Sequence, residues 1–300
     1  ITTGNSYSAS GALWAAHDAM ERLNLLPKPV GRERVKFKAM VVGATGAIGS
    51  VCARLIAKVA TEVYLVSPET AKLLAIKESI LQETPDAQLF LSAHADKDIA
   101  DMDMIVTATS GAGKKVLDIM QVKPGCVITD VARPLDLPAS EVAKRPDVLV
   151  IESGEIQLPG EQVKMKNIGL PKGVAYACLA ETIVLALEGR FENFTVGRAI
   201  EWEKVREIYK LGLKHGMKLA AISGVNGPFT DEDIARVREL ALAARAKSAA
   251  APAKATRRKA AAKSPASTDA VAPTPTAPAP APAKAVRAKA PRKAAAKKPA

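Results

Sequence analysis

The amino-acid sequence predicts an α/β protein: a doubly wound parallel sheet, then a C-terminal helical segment and a disordered basic tail. Three observations predict it. Short runs that are apolar throughout alternate with helical patterns, as the strands of a parallel sheet covered on both faces do. A glycine-rich turn joins the first of these runs to a helix. The composition then changes near residue 249 to almost nothing but Ala, Pro, Lys, Arg, Ser and Thr.

In chain order, residues 3–25 read as a helix with small side chains at Ala12, Ala15, Ala16 and Ala19, capped by Asn5 or Ser6. A polar loop with Pro27, Pro29 and Gly31 follows, and Lys38-Ala39-Met40-Val41-Val42 reads as a buried strand. Residues 51–60 are helical, Val63-Tyr64-Leu65-Val66 is a second strand, and residues 69–81 form a second crossover helix. Residues 88–91, 104–107, 126–129 and 148–151 supply four more strands. From Ala175 the pattern turns helical, through Glu188, then 202–215 and 231–247, the last opened by the capping box Thr230-Asp231-Glu232-Asp233. The predicted organisation is a leading helix (1–30), a dinucleotide-binding domain (31–170), a helical segment (171–248) and a tail (249–300).

The charge resides in the tail. The chain carries 43 Lys and Arg against 31 Asp and Glu. From residue 245 onward there are fourteen basic residues and one acid, Asp269, so the preceding 244 residues are nearly neutral. A segment this poor in apolar side chains cannot offset its ordering entropy and is expected to be disordered. It suits a solubilising extension, weak non-specific phosphate contact with nucleic acid, or electrostatic capture of an acidic protein. No stretch is long and apolar enough for a membrane span. Three cysteines in 300 residues make no disulfide framework, which points to a reduced, cytoplasmic setting. The chain opens on Ile1 without a signal-peptide pattern, as the back part of a longer protein would.

Gly43-Ala44-Thr45-Gly46-Ala47-Ile48-Gly49 lies between a strand and a helix. Glycines there permit a tight turn and close backbone approach, so that a pyrophosphate can rest on the helix N-terminus. In this context the turn predicts a Rossmann-type dinucleotide site with Gly43, Thr45, Gly46, Ala47, Ile48 and Gly49 as its cradle. The second strand ends Val66-Ser67-Pro68-Glu69 with no acid at its tip. Ser67 is therefore placed toward a ribose 2′-phosphate with Lys72 one helical turn on, which favours NADP (NADPH) over NAD. Thr109 and Ser110, after the fourth strand, are placed beside the ribose or nicotinamide. Gly111-Ala112-Gly113-Lys114-Lys115 only superficially matches a triphosphate loop. Ala108 stands at its first glycine position, and Lys115 replaces the hydroxyl that would hold magnesium.

Among the cysteines, Cys52 and Cys126 fall in packed elements and read as inert thiols. Cys178 follows the breaker-rich Leu170-Pro171-Lys172-Gly173 and falls in the first turns of the next helix, where the helix dipole favours a thiolate. It lies off the apolar stripe of Ala180, Ile183, Val184 and Leu187, so it is either a reactive thiol or a structural one. His17 and His94 read as surface or packing residues, and His215 as a helix-end residue. No His or Cys pair has metal-ligand spacing, so no metal site is expected.

Three blocks together resemble the long-chain acyl-(acyl carrier protein) reductases of cyanobacteria. They are Thr2-Thr3-Gly4-Asn5-Ser6-Tyr7-Ser8-Ala9, Val41 through Ser50, and Ala177-Cys178-Leu179-Ala180-Glu181. Leu187-Glu188-Gly189, Asn193 through Arg198 and His215-Gly216 extend the likeness to about residue 220. The resemblance implies NADPH-dependent reduction of a fatty acyl thioester, carried by acyl carrier protein or CoA, to a fatty aldehyde. It also implies that Cys178 takes the acyl group as an enzyme thioester. Asn5, from its position, is expected to donate a hydrogen bond to the oxyanion. The family carries a region ahead of the Thr-Thr-Gly-Asn block, which this chain lacks, and one member has an arginine at the place of Pro68. Two other readings fit the residues: a dehydrogenase of a small polar substrate such as an amino acid or a shikimate-like acid, and a non-catalytic cofactor binder whose tail contacts nucleic acid.

Overall fold

The computed structural model describes residues 1–28, 35–111, 115–160, 163 and 165–250. The tail, and most of the loop expected around Pro29 and Gly31, lie outside the described residues. Residues 1–252 make one compact unit. Its first helix, α1 (Asn5–Leu23), precedes β1 (Lys38–Val42), α2 (Ala47–Ala57), β2 (Glu62–Val66), α3 (Thr70–Glu83) and β3 (Leu89–Ser92). Next come β4 (Met104–Thr107), β5 (Val127–Asp130), α4 (Ala139–Val142) and β6 (Leu149–Glu152). The chain continues through β7 (Glu155–Gln157), β8 (Val174–Tyr176), α5 (Ala177–Leu187) and α6 (Trp202–Lys214). It closes with β9 (Lys218–Leu219), β10 (Ser223–Gly224), β11 (Gly227–Pro228) and α7 (Asp231–Ala250).

β1–β6 form one sheet in the order β3-β2-β1-β4-β5-β6. Every pairing in it is parallel. This is the doubly wound architecture expected from the sequence, with its topological switch point between β1 and β4. Every strand boundary expected for β1–β6 falls within one residue of the observed one.

The two faces of the sheet are covered differently. Ala39, Val41, Val63, Leu65 and Val106 face α1, α2 and α3. Met40, Val42, Ile105 and Ile128 face Ile99, Met102, Ile119 and Leu137, which come from single-turn 3₁₀ segments and connecting loops. Among the described residues, only the four-residue α4 adds an α-helix there. Short 3₁₀ turns suffice to cover this face because each contributes one or two large side chains and demands no long helical seam.

α1 is the hub of the other face. Its buried side chains are nearly all small, including Ser6, Ala9, Ala12, Ala15, Ala16 and Ala19. A helix so lined can approach its neighbours closely on several sides, and α1 packs on the sheet together with α2, α5 and α6. It ends at Asn24, whose left-handed backbone (φ 48°) caps it by donating its N–H to Met20. α7 opens with the capping box expected from the sequence. The Thr230 hydroxyl accepts the Asp233 N–H (3.1 Å), and the Asp233 carboxylate accepts the Thr230 N–H (2.9 Å).

The region read as purely helical also holds a small antiparallel sheet, β8-β7-β9, and the β10-β11 hairpin. Strands of two or three residues have no periodicity to detect. β8 positions the start of α5, because it delivers the chain directly into that helix without an intervening loop.

Candidate active site

A cleft of about 1270 Å³ runs along the carboxyl ends of the sheet strands. The glycine turn after β1 forms its floor. Gly43 has φ +85°, and a Cβ there would stand 2.6 Å from the Ala108 carbonyl oxygen, so only glycine fits between β1 and β4. The Gly43 and Ala44 N–H groups are donated to the Val66 carbonyl. The first turn of α2 has no side-chain cap. Its N–H groups are therefore left for a ligand at the positive end of the helix. Gly43, Thr45, Gly46, Ala47 and Ile48 line the cleft as expected. Gly49 does not. It packs on the Gly43 carbonyl, and an added Cβ would overlap that oxygen, so it sets the distance between helix and strand. An uncapped helix start behind a glycine turn fits the pyrophosphate of a dinucleotide.

Ser67 and Thr109 reach the cleft through hydrogen bonds that fix them. Ser67 is 4% exposed; its hydroxyl lies 2.8 Å from the Thr45 hydroxyl and accepts the Glu69 N–H (3.2 Å). Lys72, expected one helical turn on from Ser67, pairs with Glu69. Thr109 is held by the buried carboxylate of Asp136, which accepts both its N–H (3.1 Å) and its hydroxyl. Ser110 lines the cleft beside it.

Asp136 and its neighbour Asp130 have no signature in the sequence. Asp130, at the end of β5, is 1% exposed and accepts the N–H groups of Ala132 (3.1 Å) and Leu137 (2.9 Å). It thereby shapes the turn through Val131, Ala132 and Arg133 that lines the cleft. Burial pushes its carboxyl up from 3.8 to about 6.

Cys178 opens into the same cleft, as do Asn5 and Ser8 of α1. It is the second residue of α5 and is partly exposed, whereas Ala177, Ala180 and Glu181 around it are buried. Cys52 and Cys126 are wholly buried, and burial pushes the Cys52 thiol up to about 12 and the Cys126 thiol up as well. Only Cys178 therefore combines a thiol with access to the cleft.

The N-terminus of α1 is pressed against this cysteine. Gly4, with φ +76°, stands at the N-cap position of α1, and a Cβ on it would overlap both Cα and Cβ of Cys178. Neither Asn5 nor Ser6 acts as the cap. Ser6 pairs with the Thr195 hydroxyl at 2.7 Å, and the Asn5 amide, whose residue lines the cleft, has no hydrogen-bond partner among the described residues. The cap comes from α5. Glu181 is completely buried; one carboxylate oxygen accepts the Tyr7 N–H (2.7 Å) and the other the Thr2 hydroxyl. Thr2 in turn accepts the N–H groups of Gly4 and Thr195, each at 3.3 Å. The starts of α1 and α5, both positive helix ends, are thus brought together at the thiol.

The remaining candidates lie elsewhere. His17 faces Glu21 on the surface. His94 is exposed at the cleft rim. His215 meets Glu188 at the end of α6. Among the described residues there is no cluster of three metal-ligating side chains, and no helix long and apolar enough to cross a membrane.

Glu181→Ala strands the Tyr7 N–H and leaves a cavity, which costs about 2–4 kcal/mol in urea unfolding, while Glu181→Gln keeps an acceptor and costs less than half of that. Asp130 binds its proton more tightly folded than unfolded. Its contribution is full below about pH 4 and lost as pH rises through about 6. The stability of the parent relative to Asp130→Asn should therefore fall by about 3 kcal/mol between pH 3.5 and pH 7.5.

No protein-family model matches the chain. It is 30% identical over 225 residues to the aminotransferase PigE of a Serratia species, covering 72% of this chain and 24% of that protein. It is 25% identical over 229 residues to the long-chain acyl-[acyl-carrier-protein] reductase of Synechococcus elongatus, covering 74% of this chain and 63% of that protein. The chain thus spans a quarter and somewhat under two thirds of these curated relatives. Among solved structures it is similar to quinate dehydrogenase from Corynebacterium glutamicum in complex with NAD. That match has a TM-score of 0.39 and 13% identity over 81% of this chain and 62% of the other. The quinone oxidoreductase of Thermus thermophilus gives a TM-score of 0.30 and 17% identity over 46% and 41% of the two chains.

Proposed function

We propose that the protein reduces an acyl thioester to an aldehyde through an acyl-enzyme on Cys178, using a reduced nicotinamide dinucleotide held at the glycine turn. The observation that carries this reading is the placement of a partly exposed thiol, at the second position of α5, in the same cleft as the uncapped start of α2. Similarity to a long-chain acyl-[acyl-carrier-protein] reductase over 74% of the chain supports it.

The chemistry follows from the residues. The Cys178 thiolate attacks the acyl carbonyl carbon, and the carrier leaves as its thiol after taking up a proton, so the acyl group is transferred to sulfur. The charge that develops on the carbonyl oxygen meets the first-turn N–H groups of α5 and the Asn5 amide. A reduced dinucleotide held at Gly43, Gly46, Ala47 and Ile48 would supply a hydride, and so two electrons, to the acyl carbon and would itself be left oxidised. The resulting tetrahedral adduct on Cys178 then collapses, the C–S bond breaks, and aldehyde leaves with the thiolate restored. Asn5 keeps its role only if α1 stays seated on α5, which is the work of Glu181 and Gly4.

Intact-protein mass spectrometry after incubation with a long-chain acyl-CoA, and separately with acyl carrier protein thioester, tests the first half-reaction without any dinucleotide. The parent should gain one acyl group and Cys178→Ala none. Equal acylation of both, or labelling of Cys52 or Cys126 instead, would contradict the assignment.

A further inference from the structure

Two charged side chains pair where β2 ends beside the glycine turn, and a third lines the same cleft. Glu69 stands just before α3 and folds back, so that one carboxylate oxygen accepts the Thr45 hydroxyl at 2.9 Å while the other pairs with Lys72. Thr45 is itself 2.8 Å from the Ser67 hydroxyl, which makes a Thr45–Ser67–Glu69 cluster on the wall of the cleft. Across from it, in the loop between α5 and α6, the exposed Arg198 lines the same cleft and acts electrostatically on Glu69. Lys72 foremost, then the Thr45 hydroxyl, and more weakly Arg198, hold the Glu69 carboxyl below the usual carboxylate range, so it is ionised at neutral pH.

In a doubly wound sheet, the end of the second strand beside the glycine turn is where the adenosine ribose of a dinucleotide rests. An ionised carboxylate there accepts a ribose 2′-hydroxyl, whereas a 2′-phosphate brings about two negative charges against it. Lys72, already paired with Glu69, and Arg198, on the same cleft, are the compensating cations.

We propose that Glu69 is the cofactor-discriminating residue of this site. Its carboxylate holds a free ribose 2′-hydroxyl and so favours NADH over NADPH, and a 2′-phosphate binds only by drawing Lys72 and Arg198 away from it. This rests on the dinucleotide reading above and adds which dinucleotide the cleft prefers and why. The sequence alone places the phosphate contact at Ser67 with Lys72. The structure instead puts an acid, reached from two residues further on, at the same spot.

The full chain titrated with NADH and with NADPH at 0.15 M salt, read by nicotinamide fluorescence, measures the preference without turnover. The parent should bind NADH more tightly. Glu69→Gln keeps the acceptor for Thr45 and removes only the charge, so it should shift the NADH/NADPH affinity ratio toward NADPH by about ten-fold or more, an amount equivalent to one well-placed charge interaction. Adding Arg198→Gln to Glu69→Gln should weaken NADPH several-fold and leave NADH unchanged. A ratio that does not move in Glu69→Gln, or a parent that already prefers NADPH, overturns the proposal while the dinucleotide reading stands. Failure of the parent and both variants to bind either dinucleotide overturns both.

Discussion

Glu181 is a carboxylate with no access to water, and both of its oxygens are spoken for by a segment more than 170 residues away in the chain. A buried charge is tolerated only when hydrogen bonds satisfy it, and here those bonds are the Tyr7 N–H and the Thr2 hydroxyl. The arrangement works in both directions. The acid gives α1 the cap that Gly4 cannot supply, and α1 gives the acid its solvation. Because Glu181 is three residues along α5 from Cys178, the same bonds that satisfy the carboxyl hold the α1 terminus against the thiol. Gly4 completes the fit, since any side chain there would overlap the backbone of Cys178.

Everything else at the site is arranged around that junction. The doubly wound sheet supplies one half of the cleft through the uncapped α2 and the hydroxyls of Thr45, Ser67 and Thr109. The α1–α5 contact supplies the other half, with the thiol. Asp136 and Asp130 join the halves by fixing the loops that follow β4 and β5. This explains why acids are buried at this edge at all: each holds backbone N–H groups in loops that ordinary sheet hydrogen bonding does not reach.

The sheet is legible in the sequence because its strands are apolar on both faces and its first turn needs glycine for steric reasons. The helix starting at Asp231 is legible because its capping box is local. What the sequence hides depends on distance along the chain or on very short elements. Residues 155–157, 174–176 and 218–219 form one sheet, with Ile156 paired to Leu219, and no repeat reveals them. Asn5 or Ser6 is the natural candidate for the α1 cap because such residues usually cap the helix they begin. Only the fold reveals that Glu181 performs this task, which leaves Asn5 lining the cleft. Glu69 lies beyond the strand tip in sequence, and the backbone turn at Pro68 brings it back. In the same way Asp130 and Asp136 look like ordinary loop acids until the sheet buries them.

On this reading the Cys178 thiol and the glycine turn act on one substrate in one cleft. Single-turnover discharge of the acylated protein tests that most directly. Protein acylated on Cys178 and freed of excess thioester would be mixed with NADH, with absorbance at 340 nm and aldehyde followed together. One equivalent of NADH should be lost per acyl group, with release of the matching aldehyde and recovery of the free thiol. Acyl groups that remain in place, or leave as the free acid while NADH is untouched, would contradict it.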